Sequence, residues 1–153
     1  MWTKVFYGIV KILIVIGMLL GLALAVYLIV IVSPIVDQFF MEEESKPRAF
    51  AVLSMGIGLL CVAGAEYIAA KLLCMMFTLD SDPFVIKNVR ALRSMGWTAM
   101  AIMLLGLSTL LLHPQPLAVL LALPIGMCGM FSLVLSGVFE RAVACKLEND
   151  LTV

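Results

Sequence analysis

Glu66 is a carboxylate inside an apolar run from Ala49 to about Leu79, in which Lys71 is the one other charge. An ionisable group is expensive to keep in such surroundings, so it is either paired or part of a proton or ion path. Lys71 follows it at a distance of about 7–8 Å along a helix. Where Lys71 marks the edge of a membrane, Glu66 lies only that far inside, and Lys11, Lys71 or Arg141 are its expected partners. The competing reading is a proton or cation site. No other acid and no histidine sits deep in an apolar run to extend a relay.

The remaining reactive residues form no constellation. Cys61, Cys74, Cys128 and Cys145 lie scattered in apolar segments, with a single histidine, His113. A structural zinc site takes four Cys or His ligands at close spacing, so these thiols read as small buried hydrophobes, and no metal or cofactor is expected. No nucleophile stands at readable spacing from a histidine, and neither a Gly-rich phosphate loop nor a His-Glu-x-x-His motif occurs. No catalytic residue is expected, and the chain does not read as an enzyme. The acids from Asp37 to Glu44 read as a solvated connection.

A denser cluster of polar residues occupies Asp82 to Trp97. Asp82 suits a helix cap and Pro83 the first helical position. On that helix Arg90, Arg93 and Trp97 share a face, and Arg93 can stack over Trp97. Phe84 and Asn88 belong to the same stretch. It reads either as an interfacial anchor, with Trp97 at headgroup level, or as a docking surface. In the tail, Glu148 and Asp150, with Asn149 between them, offer carboxylates that could fold it back onto Arg90 or Arg93, against the simpler reading of a frayed terminus.

The elements that must hold these residues are membrane helices. Apolar residues make up 64% of the 153 and charged ones 13%, against about half and about a quarter in soluble domains. A chain this short cannot hide that excess in its own core. The expected fold is all-α, an integral membrane four-helix bundle of up-down topology, a single domain over 1–153. The predicted spans are about 12–34, 49–72, 95–112 and 117–139, with a helical stretch at 83–94 and a tail at 140–153. Continuous rather than alternating apolar runs argue against a barrel. Lys4, Lys11, Lys71, Lys87, Arg90, Arg93, Arg141 and Lys146 fall on one side, and Lys46 and Arg48 on the other. The basic side belongs in the cytoplasm, so the orientation is N-in, C-in, in a bacterial plasma membrane. Small residues let membrane helices approach: Gly17 and Gly21 form a GxxxG in the first span, and Cys128, Ser132 and Ser136 a ridge in the fourth. The GxxxG serves packing within the bundle or a homo-oligomer. Pro124 should bend the last helix.

The stretch "DPFVIKNVRALRSMGW" and the ending "FERAVACKLENDLTV" resemble a bacterial family, domain of unknown function 2975, the YoaS-like four-span membrane proteins. The family's first pattern falls on Pro83, Phe84, Asn88, Leu92, Arg93, Gly96 and Trp97, with Met95 where isoleucine is usual. The second falls on Leu147 to Val153, and the run Cys145-Lys146-Leu147-Glu148 lacks one of the usual acids. The resemblance transfers no activity. It implies a membrane component that controls a small helix-turn-helix regulator, and it raises Asp82–Trp97 and the tail to expected contact surfaces.

The expected function is therefore a regulatory or interaction protein with a cytoplasmic DNA-binding partner, without direct nucleic acid binding of its own, since its net charge is zero. The alternatives are a small oligomeric transporter or channel using Glu66, or an accessory subunit of a larger membrane complex.

Overall fold

Lipid offers no hydrogen bonds, so a chain that enters it must satisfy its backbone within each segment, which a helix does. The computed structural model of the protein describes residues 2–32, 48–79, 85–112 and 116–151. They form α1 (Trp2–Tyr27), continued by a π-helical turn at Leu28–Val32, α2 (Arg48–Leu79), α3 (Ile86–Leu112) and α4 (Pro116–Leu151). No strand occurs among the described residues. Each helix contains a stretch long and apolar enough to cross a bilayer: Val5–Ile31, Val52–Thr78, Ile86–Leu110 and Val119–Asn149. This is a multi-pass membrane protein. Its large side chains lie largely outside, with Leu20, Leu120, Phe131 and Val134 all well exposed, as helices facing lipid require.

The close pairings run in chain order: α1 on α2, α2 on α3, α3 on α4. The tightest is α3 with α4, where two glycines allow backbone contact. A Cβ at Gly129 would lie 3.0 Å from the Cβ of Ala99 and 3.1 Å from the carbonyl oxygen of Gly96. Ser132 Oγ donates across the same seam to the Leu92 carbonyl at 2.9 Å. Much of the core lies along it: Leu92, Met95, Ala99, Ile102, Ala122 and Val143 are buried. Packing, the Ser132 hydrogen bond and the 2.6 Å contact of Arg93 with Glu140 hold the pair, as expected where lipid removes the hydrophobic drive between helices.

Several sequence expectations change. The third helix is described from Ile86, preceded by the non-helical Val85, whose carbonyl accepts from the Asn88 amide at 2.9 Å; the expected start at Asp82 and Pro83 lies outside the described residues. The small-residue ridge of α4 is real but differently composed. Ser132 bonds across to α3, Ser136 is buried and bonds within its own helix to Leu133, and Cys128 is exposed while Gly129 makes the closest approach. In α1 the two glycines part ways, since Gly17 has nothing near it and Gly21 lies against α2. Cys74, Cys128 and Cys145 are exposed and Cys61 is half-buried, all four free, so they are not the buried thiols expected. Pro124 stands inside α4, which continues as helix on both sides.

Candidate functional site

Polar residues of α2, α3 and α4 lie near one another, with Gly21 of α1 beside them. On α2, the Glu66 carboxylate lies directly over Gly21 of α1, where a Cβ would overlap its Oε1 and stand 3.1 Å from its Cδ. Gly21 is thus the residue that makes room for the acid. Next along α2, Tyr67 OH shares a 2.6 Å hydrogen bond with Ser94 Oγ of α3. Next to Ser94, Arg93 donates to Glu140 Oε2 of α4 at 2.6 Å, an ion pair about half exposed on both sides. Glu66, Tyr67, Ser94, Arg93 and Glu140 therefore form a belt across α2, α3 and α4, linked by two hydrogen bonds and by adjacency in the chain.

The three expected partners of Glu66 are not on it. Lys11 Nζ sits over the Phe77 ring at 4.7 Å and Lys71 Nζ over the Tyr67 ring at 5.3 Å, both within cation–π range. Arg141 is exposed. Among the described residues Glu66 makes no hydrogen bond or ion pair, and no group of acids, cysteines or histidines suited to a metal occurs.

Beyond the belt, toward the end where α2 gives way to α3, the two helices are clasped. Thr78 Oγ1 donates to Asn88 Oδ1 at 2.7 Å and is also 2.8 Å from the Met75 carbonyl. Asn88 is 2% exposed and Val89 beside it equally so. Asn88 is therefore an internal strut and not part of a surface a partner could touch, which corrects the sequence reading. Polar side chains at such a depth are held by hydrogen bonds, and this one is.

The other candidates divide. Arg90 is exposed, and Trp97 is 65% exposed on α3. Arg93 spends its guanidinium on Glu140, not on the tail. Asp82, Phe84 and Asp150 lie outside the residues whose side chains the structure describes. The tail continues α4 unbroken to Leu151, with Glu148 and Asn149 exposed along it. Helical periodicity supports that continuation: Val143 carries the buried face of α4 past Glu140 and Arg141, so the helix keeps a reason to go on.

Sequence reasoning missed Glu140, Tyr67, Ser94 and Thr78. A signal existed for the first: an acid at the end of one apolar span and an arginine at the start of another, on helices joined by a short break, are natural partners across an antiparallel pair. The hydroxyls carried no such signal, because serine, threonine and tyrosine are unremarkable in membrane helices until a neighbour is known.

A family model described as a protein of unknown function, DUF2975, matches residues 36–153. No curated protein and no solved structure matches the chain.

Proposed function

The chain belongs to this family of proteins of unknown function, DUF2975, and from that premise we propose that it is a non-catalytic membrane regulator that uses the far end of α4 to hold a small cytoplasmic DNA-binding protein. The observation that carries the reading is the length of α4. Its 36 residues extend about 54 Å at 1.5 Å per residue, against a hydrocarbon core of about 30 Å. Some 20 Å must therefore stand outside the bilayer, even with an ordinary tilt.

The excess belongs at the end that carries Glu140 to Leu151, where charges return to the helix. Arg93 braces its base through Glu140, and residues 144–149 beyond it are exposed. An exposed, pre-formed helix is a suitable handle for a soluble partner, because little ordering entropy is lost on binding. The excess of Lys and Arg at this end supports placing it in the cytoplasm of a bacterial plasma membrane.

The test is a truncation that leaves packing intact. Deleting residues 144–153 keeps Val143, the last buried position among the described residues of α4. The tagged truncated protein should reach the membrane in normal amounts and fail to co-purify, in mild detergent, the small DNA-binding protein that the full chain retains. Equal capture by both forms, or capture of no soluble protein by the full chain, would overturn the proposal.

A further inference from the structure

Between the end of α2 and the start of α3 lies a cavity of about 410 Å³. Lys71 and Thr78 line it from α2, and Lys87, Asn88, Arg90 and Ser94 from α3. Three of the six are cations, and no acid is among the described residues that line it. The first turn of α3 also lacks an acid, so the partial positive charge of that helix end adds to theirs. Three like charges around one hollow repel one another, and the fold elsewhere treats such a charge differently: Arg93, one turn further on, is given Glu140.

The polar groups between the cations are donors of the kind an anion uses. Ser94 lines the cavity, and where Tyr67 is the donor of the hydrogen bond they share, the Ser94 hydroxyl proton is left able to donate. Thr78 and Asn88 hold the wall in place through their mutual bond. Small-molecule sites commonly occupy about 300–1,000 Å³, so the space suits a phosphate together with the group that carries it.

We propose that this cavity binds a phosphate-bearing anion, held by Lys71, Lys87 and Arg90. Arginine grips phosphate oxygens in pairs while lysine contributes a mobile point charge. An anionic phospholipid headgroup and a soluble phosphate compound share this chemistry. In either case the ligand bridges α2 to α3 beside the Thr78–Asn88 clasp and draws the two helices together. The site is separate from the α4 handle and stands whether or not that reading does.

The experiment uses the full chain purified in a zwitterionic detergent. Retained ligand is measured by native mass spectrometry, and thermal unfolding is followed in parallel, with added phosphatidylglycerol, phosphatidylcholine or inorganic pyrophosphate. Phosphatidylglycerol or pyrophosphate should bind more tightly than phosphatidylcholine and raise the unfolding temperature. Retention of phosphatidylglycerol alone assigns a lipid headgroup, and retention of pyrophosphate alone a soluble phosphate. The double variant Lys87→Gln/Arg90→Gln should weaken that binding about tenfold or more, as expected for losing charge-assisted contacts. Arg141→Gln, an exposed cation on α4, should leave binding unchanged. If the double variant loses its helical circular dichroism, Lys87→Gln alone at an exposed position takes its place. No preference over phosphatidylcholine, or equal weakening by Arg141→Gln, would overturn the site.

Discussion

Replacing Gly129 with alanine places a methyl group where α3 and α4 already touch. The new Cβ would stand 3.0 Å from the Cβ of Ala99, 3.1 Å from the Gly96 oxygen and 3.3 Å from the Met100 nitrogen. Carbon atoms prefer about 3.5–4.0 Å, so the first contact is short by about 0.5–1 Å. None of the three atoms can swing away, since two are backbone and the third is attached to it. The two backbones must give by a few tenths of an ångström, which weakens the dispersion contacts along the seam. The Ser132–Leu92 hydrogen bond spans that seam and would lengthen with it. Overpacking of this kind costs about 1–3 kcal/mol. Alanine also gains about 1 kcal/mol in helix propensity over glycine, so the variant needs a reference that shares the gain. Gly137→Ala provides it, because Gly137 is on the same helix and has nothing near its missing Cβ. The assay is unfolding by a denaturing detergent, read by far-UV circular dichroism. Gly129→Ala should be less stable than Gly137→Ala by about 1–3 kcal/mol. Equal midpoints for the two would refute the close approach of α3 and α4.

Two further outcomes follow from the polar contacts. Thr78→Val removes the hydroxyl that donates to buried Asn88 at nearly constant volume, and should lower stability by about 1 kcal/mol in the same titration, with Ser108→Ala, whose hydroxyl bonds only within its own helix, serving as the comparison. For Arg93 and Glu140, both half exposed, single replacement by glutamine should cost no more than about 1 kcal/mol. The exchanged pair Arg93→Glu/Glu140→Arg should recover part of any loss, and recovery of none would show that the pair contributes no net attraction.

Part of the architecture was legible before any coordinates. Largely uncharged runs of about twenty residues can only be helices in lipid, and the breaks at Pro34–Pro47, Asp80–Pro83 and His113–Pro116 divide them into four. The family resemblance rested on linear motifs, which a sequence displays directly. The site was less legible. Glu66 announced itself by being an acid among apolar residues, yet its neighbour Gly21 did not, because a GxxxG stripe does not say which glycine meets a partner and which faces away. Asn88 looked like a surface residue in a polar stretch, and burial by α2 made it a strut.

What the sequence by itself determined is the solvent and the helices, because both depend on local composition and on backbone groups that must bond within a segment. Which residues meet was decided only by tertiary structure. The level of α3 against α4 brings Gly129 to Ala99, Ser132 to Leu92 and Glu140 to Arg93. That register is set by the fit of small side chains between two backbones, a match of shapes that neither helix carries alone.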